Sequence, residues 1–238
     1  MQVFAATSYL AFVASFSYFV ALVVGAVEPR ASRNLAAALA VDAALLAGFG
    51  VTHSLMARAW FKRHLVRLVP AAAERSVYVL VASAQLALLV WQWRAAGGAP
   101  VWRATGALAT ALVVVQLLGF GLALLSTFLI DHRELFGLAQ PIGRNREATR
   151  FATPWLYRVV RHPLYLGMLV ALWCPPVMTL ARLALAVGLT GYVLVGARLE
   201  ERDLVRTFGD EYRAYQRRVP MILPYRKLRA WPRGSASS

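Results

Sequence analysis

The feature that most constrains this chain is the spacing of its apolar blocks. Stretches with almost no charge run at about residues 7–27, 35–56, 76–93 and 105–130. Each is close to the roughly 20 residues that a helix needs to cross a bilayer. A further block, 163–199, is broken by Cys174-Pro175-Pro176 and by Arg182. Proline removes a backbone donor and clashes inside a helix, so this block divides into two shorter helices forming a hairpin. The expected fold is therefore an all-α integral membrane protein with about six transmembrane helices, or five plus a re-entrant hairpin. Composition agrees: 16% of the residues are charged and 59% hydrophobic, where soluble domains carry about 25% charged residues.

No basic residue precedes the first block, which argues against a cleaved secretory signal with its positive leader. The single cysteine, Cys174, excludes an internal disulfide framework and any CxxC metal or redox site, and it reads as a small buried apolar residue. No metal site is expected. The net charge of +15 invites a nucleic-acid reading, but its distribution removes it. Arg30, Arg33, Arg94, Arg103 and Arg182 fall on one side of the proposed membrane path, leaving 21 of the 26 Lys and Arg residues (26 − 5) on the other. That is the positive-inside pattern. It puts both termini in the cytoplasm, and the basic surplus then meets anionic lipid headgroups. No nucleic-acid partner and no obligate protein partner is expected.

Two regions follow. Residues 1–130 form a four-helix membrane bundle with few ionisable groups. Residues 131–238 comprise a polar loop, the hairpin and a tail, and are expected to form a cytoplasmic cofactor-binding cap. In the tail, Leu204, Phe208, Tyr212, Tyr215 and Val219 recur at spacings of four, four, three and four, one stripe of a helix. Gly209 interrupts it, and Asp210 is placed to cap a second short helix. An Arg-rich opposite face suits a helix along the membrane interface.

Chemistry is concentrated near "RVVRHPLYLG". Pro163 suits the first turn of a helix, and the amides of Leu164 and Tyr165 then become donors at a positive helix end that can hold an anion. Arg161 and His162 stand beside that end. Snorkelling arginines and a helix-starting proline account for the same residues without a ligand. Glu200 and Glu201 close the last apolar helix, where a helix terminus prefers cations. They either hold ligand hydroxyls or an ammonium group, or are neutralised by Arg198 and Arg202. Asp42 and His53 share a face of the second helix, being eleven residues apart. An acid near mid-bilayer is a functional candidate, although bonding to Gln85 or Gln116 would make Asp42 structural. His53, nearer the cytoplasmic end, is placed to line a pocket floor. His132 and Glu134 follow the fourth helix, and a histidine there is either a proton carrier at neutral pH or an exposed loop residue.

"RHPLYLG" followed by "LEERDLVRTFGDEYRAYQRRVPMILP" resembles the catalytic region of the isoprenylcysteine carboxyl methyltransferase superfamily, over about residues 154–224. "THSLMARAWFKRHLVRLVP", "ERSVYVLVASAQLALLVWQW" and "LLSTFLIDHRELFGLAQ" extend the likeness towards bacterial membrane methanethiol S-methyltransferases and, more distantly, NnrU proteins. Asp131 and Arg133 stand where that family typically carries less polar residues. The resemblance implies S-adenosyl-L-methionine as methyl donor, a small volatile thiol as acceptor, and the bacterial inner membrane as location. It implies cofactor contacts at Gln140, Arg161, His162, Leu164, Tyr165, Glu200 and Glu201. A thiol is mostly protonated at neutral pH, so thiolate must be favoured by His53, by His132 or by the field of Arg161. Two other readings stay open: a methyltransferase for an isoprenylcysteine carboxylate or a lipid, and a membrane protein without chemistry, such as a transporter or sensor.

Overall fold

The computed structural model describes residues 1–139 and 153–224. Five helices among them are long and apolar enough to cross a membrane: α1 (Gln2–Val24), α2 (Leu35–Met56), α4 (Glu74–Gln92), α5 (Gly106–Ile130) and α8 (Leu180–Arg218). Three shorter helices lie between them, α3 (Ala59–Leu65), α6 (His132–Leu135) and α7 (Pro163–Trp173). Leu108, Leu117, Leu118, Leu124, Phe128 and Ile130 of α5 all face outwards. A helix that is apolar nearly all round is at home only where its surroundings are apolar too. The chain is a multi-pass membrane protein.

Of the two expected arrangements, five long helices plus a hairpin match better than six full helices. With 11 residues, α7 is about 16 Å long at 1.5 Å per residue, about half the hydrocarbon thickness of roughly 30 Å. Beyond it the chain runs extended. Its strand β4 (Val177–Met178) pairs antiparallel with β3 (Trp102–Arg103), just ahead of α5. The Trp102 indole donates to the Pro175 carbonyl at 3.1 Å, and Arg182 donates to Val177 O while lying against Gly25 at the end of α1. The turn therefore sits at the same end of the bundle as the α1–α2 and α4–α5 connections. Those connections are themselves joined, β1 (Arg30–Ser32) pairing parallel with β2 (Arg94–Ala96). So the hairpin reaches the far end by a short helix plus an extended segment. Pro175 and Pro176 stop the helix, and β3 supplies hydrogen bonds that an extended segment there needs.

What seats α7 is a close crossing with α5. A Cβ built on Gly119 would lie 2.7 Å from Gly167 O, and one on Gly167 2.5 Å from Gly119 O. Ala123 and Ala171 are buried one turn on, so each helix presents a small residue, three others and a second small residue, which lets backbones approach. Gln116 of α5 donates across the crossing to Ala171 O at 2.9 Å.

Asp42 is fully buried two turns into α2, and its Oδ1 accepts the backbone N–H of Arg94 at 2.9 Å. The expected partners, Gln85 and Gln116, are replaced by a main-chain donor because the segment after α4 folds back beside α2 as β2. At the opposite end α8 breaks where expected, at Gly209 (φ 55°, ψ −127°). That conformation strains any residue with a Cβ. Past the break, Tyr212, Tyr215 and Val219 form a buried cluster with Leu204, Val205 and Phe208.

Candidate active site

The two motif halves meet at the end of the bundle where α7 begins. The backbone N–H of Arg161 donates to Pro220 O at 2.9 Å, and that of His162 to Met221 O at 3.0 Å. Arg161 then grips the tail with its guanidinium. Nε and Nη2 donate to the two carboxylate oxygens of Glu201 at 2.5 and 3.1 Å. Nη1 donates to the carbonyls of Gln216 and Val219. Glu201 also receives Gln216 Nε2 at 2.8 Å and lies 3.1 Å from His162 Nε2. A carboxylate this well surrounded by donors is held charged despite burial. Tyr215 adds a hydrogen bond from its hydroxyl to Tyr157 O, and burial, reinforced by Glu200, pushes the Tyr157 phenol up. RHP and EE…VP are therefore two halves of one clamp. Gln216 belongs to it, and the sequence reading missed it, since a glutamine in a polar tail carries no distinguishing signal.

Beside the clamp is a more open rim. Glu200 is exposed, accepts the Tyr165 hydroxyl at 3.0 Å and lies 3.8 Å from His162 Nδ1. The His162 and Tyr165 rings stack at 5.2 Å. Pro163 occupies the first position of α7, so the first-turn amides of Leu164 and Tyr165 have no intrahelical acceptor.

Beneath the rim lies a cavity of about 340 Å³ among α1, α2, α4, α5, α7 and α8. Its deep wall includes Phe16, Phe19, Leu86, Leu89, Leu172 and Leu189. Polar groups gather at the end nearer the rim: His53, Arg75, Tyr78, Thr127, Tyr165 and Tyr192. Nε2 of His53 is 2.7 Å from the Tyr78 hydroxyl. Arg75 covers the Tyr78 ring at 4.9 Å and donates Nε to Leu135 O. Arg75, Tyr78 and Tyr192 were not singled out from the sequence. The charge at the start of α4 was the available signal, because an ionisable group inside a membrane helix marks function by default.

The expected base candidates part company here. His53 lines the cavity. His132 is buried behind the wall and is not an exposed loop residue. Its Nδ1 meets the Thr127 hydroxyl at 2.7 Å, its Nε2 meets the Tyr9 hydroxyl at 3.0 Å, and its ring stacks on Phe128 at 4.1 Å. Burial lowers its pKa, with the Asp131 carboxylate pulling the other way. All three guanidinium nitrogens of Arg161 are engaged within the clamp. Gln140 lies outside the described residues.

The comparisons with known proteins agree with one another. A family model described as NnrU protein matches residues 43–229. Methanethiol S-methyltransferase 2 of Bradyrhizobium diazoefficiens is 44% identical over 230 residues, covering 93% of this chain and 88% of its own. Methanethiol S-methyltransferase of Mycobacterium tuberculosis is 44% identical over 233 residues, covering 94% and 95%. Nurim of Danio rerio is more distant, 31% identical over 183 residues, covering 70% and 64%. No solved structure matches significantly.

Proposed function

The chain belongs to the NnrU family, and we propose that it transfers the methyl group of S-adenosyl-L-methionine to methanethiol, forming dimethyl sulfide, with hydrogen sulfide as a poorer acceptor. Relatives of 44% identity over most of both chains carry the name methanethiol S-methyltransferase. The observation that carries the reading in this molecule is the position of Tyr165. Its hydroxyl belongs to the polar rim, on Glu200, while its ring is part of the cavity wall.

The division of labour follows from polarity. The methyl donor bears a carboxylate, an ammonium group, hydroxyls and a base, and burying these without partners costs several kcal/mol each. The deep cavity offers them aromatic and aliphatic side chains, so the donor belongs at the rim. There Glu200 is free to accept from hydroxyls or the ammonium group. The first turn of α7 at Leu164 and Tyr165 receives the carboxylate, with His162 flanking and Gln140 as a further contact. Arg161 and Glu201 hold these groups in place through the clamp. When bound, the donor supplies a methyl group on a positively charged sulfur. The cavity takes the thiol, an apolar molecule that enters from the bilayer, and holding it in line with that methyl group supplies much of the rate.

Orientation follows from charge. The basic asymmetry read from the sequence, 21 of 26 residues on one side of the membrane path, then turns the rim and both termini towards the cytoplasm of a bacterial inner membrane. Reporter fusions after residue 224 and in the 97–101 loop should give opposite compartment signals; equal signals would overturn the arrangement. For the reaction, purified protein given methyl-labelled donor and methanethiol should release labelled dimethyl sulfide. Methylation of a farnesylcysteine carboxylate with methanethiol untouched would reassign the acceptor.

A further inference from the structure

The transfer leaves a proton to be placed, and the structure offers one pair for it. We propose that Tyr78 and His53 together take the thiol proton, the Tyr78 oxygen receiving it from sulfur while its own proton passes to Nε2 of His53. This rests on the thiol-methylation reading above.

Geometry comes first. Both residues line the cavity, and they are joined by a 2.7 Å hydrogen bond. The other polar groups on the wall are committed elsewhere. Tyr165 donates to Glu200, Ser83 to Val79 O, Thr127 to Leu124 O, Arg75 to Leu135 O, and Tyr192 bonds with Ser54. Nδ1 of His53 has no partner among the described residues, and none of the described residues lining this wall is a carboxylate that would hold the ring as a cation. Phe49 stacks on the ring at 5.3 Å and the Tyr192 ring lies at 6.2 Å, so its position is set by packing on α2 and α8.

Charge bookkeeping then favours this route. A free thiolate in an apolar chamber would be costly. In the coupled step, the sulfur lone pair forms the new bond to the methyl carbon. The old carbon–sulfur bond breaks with its electron pair left on the donor sulfur. The S–H proton moves to the Tyr78 oxygen, and the Tyr78 proton moves to His53. One positive charge enters on the sulfonium and one leaves on the imidazolium, so the net charge of the chamber does not change during transfer. Arg75, over the Tyr78 ring, repels that imidazolium and drives the proton onward after transfer.

The test contrasts acceptors of different acidity. A thiol must lose its proton, whereas methaneselenol is already largely ionised at neutral pH and needs no base. His53→Gln and Tyr78→Phe should each lower kcat/KM for methanethiol by about 10²–10⁴-fold, the usual share of general-base catalysis. For methaneselenol the loss should stay below about tenfold. Equal losses for both acceptors in both variants would overturn the pair. A readout without the donor accompanies it: in protein labelled with ¹⁵N-histidine, methanethiol should shift the His53 ring resonances, identified by their loss in His53→Gln. No shift at saturating thiol would also overturn the proposal. If wild-type protein methylates neither acceptor, it is the thiol-methylation reading that fails.

Discussion

Arg161 and Glu201, 40 residues apart in sequence, meet in a two-pronged ion pair at 2.5 and 3.1 Å, both side chains about nine-tenths buried. One lies just before α7 and the other within α8, so this contact closes the end of the bundle around the rim. The same guanidinium holds the carbonyls of Gln216 and Val219, which makes it a structural pin beside the rim.

Removing one member of that pair strands the other. Arg161→Ala should lower stability by about 3–5 kcal/mol, the usual cost of leaving a buried charge unpaired. Arg161→Lys should recover little, because an ammonium group cannot make the forked contact. Thermal unfolding in detergent measures both, and a melting temperature unchanged in Arg161→Ala would show that the clamp contributes nothing.

Glu200 and Tyr165 should behave oppositely. Glu200 is exposed, so Glu200→Gln and Tyr165→Phe should leave unfolding nearly unchanged. Each should weaken binding of S-adenosylhomocysteine by the loss of a charge-assisted contact, about 1.5–3 kcal/mol or roughly ten- to a hundredfold. Calorimetric titration reads this directly, and unaltered affinity in both variants would move the donor away from this rim.

The α5–α7 crossing tolerates no added atoms. In Gly167→Ala the new methyl group would stand 2.5 Å from Gly119 O and 2.6 Å from Ala123 N, backbone atoms that cannot step aside. A cost of about 1–3 kcal/mol is expected from overpacking, and Gly167→Leu should not fold. By contrast Gly121→Ala, whose Cβ would meet nothing within 4 Å, should be neutral or slightly stabilising through helix propensity.

His132 sets a pH dependence. Its folded pKa lies below the ordinary value of 6.5, so the unfolded chain binds this proton more readily than the folded one. Its contribution to stability is therefore complete above about pH 6.5 and is lost as the pH falls below it. Denaturant titrations between pH 7.5 and about 5 should show stability falling on acidification, with part of that fall absent in His132→Asn. Identical pH slopes for the two proteins would contradict this assignment.

Methanethiol has only two heavy atoms, so it fills a small part of the roughly 340 Å³ cavity. Ethanethiol and propanethiol should also be methylated. Each added CH₂ buried against Phe19, Leu89 and Leu172 is worth about 0.8 kcal/mol, roughly fourfold in affinity. Relative kcat/KM values measure it, and refusal of ethanethiol would mean that the deep wall is closed during turnover. This space lies between the helices, so the lengths of the connecting loops carry no information about it.

What the sequence by itself determined is what repeats or breaks along one dimension. Apolar runs set the membrane helices, Pro175-Pro176 and Gly209 set the breaks, and basic asymmetry marked one side. RHP, EE and VP identified the residues of one end by their order, and the family comparisons agree with the function they implied. Only the tertiary structure decided how those residues are spent. Arg161 turns towards Glu201 because the tail folds back to offer it a carboxylate and two carbonyls. Asp42 finds a backbone N–H that no pattern announces. His53 and His132 looked equivalent as titratable groups near one end, yet one lines the cavity and the other is locked behind it by Tyr9 and Thr127. The physical reason is that hydrogen bonds and packing contacts join residues distant in sequence. Residue type states what a group is able to do, while its neighbours in space decide which of those things remains open to it.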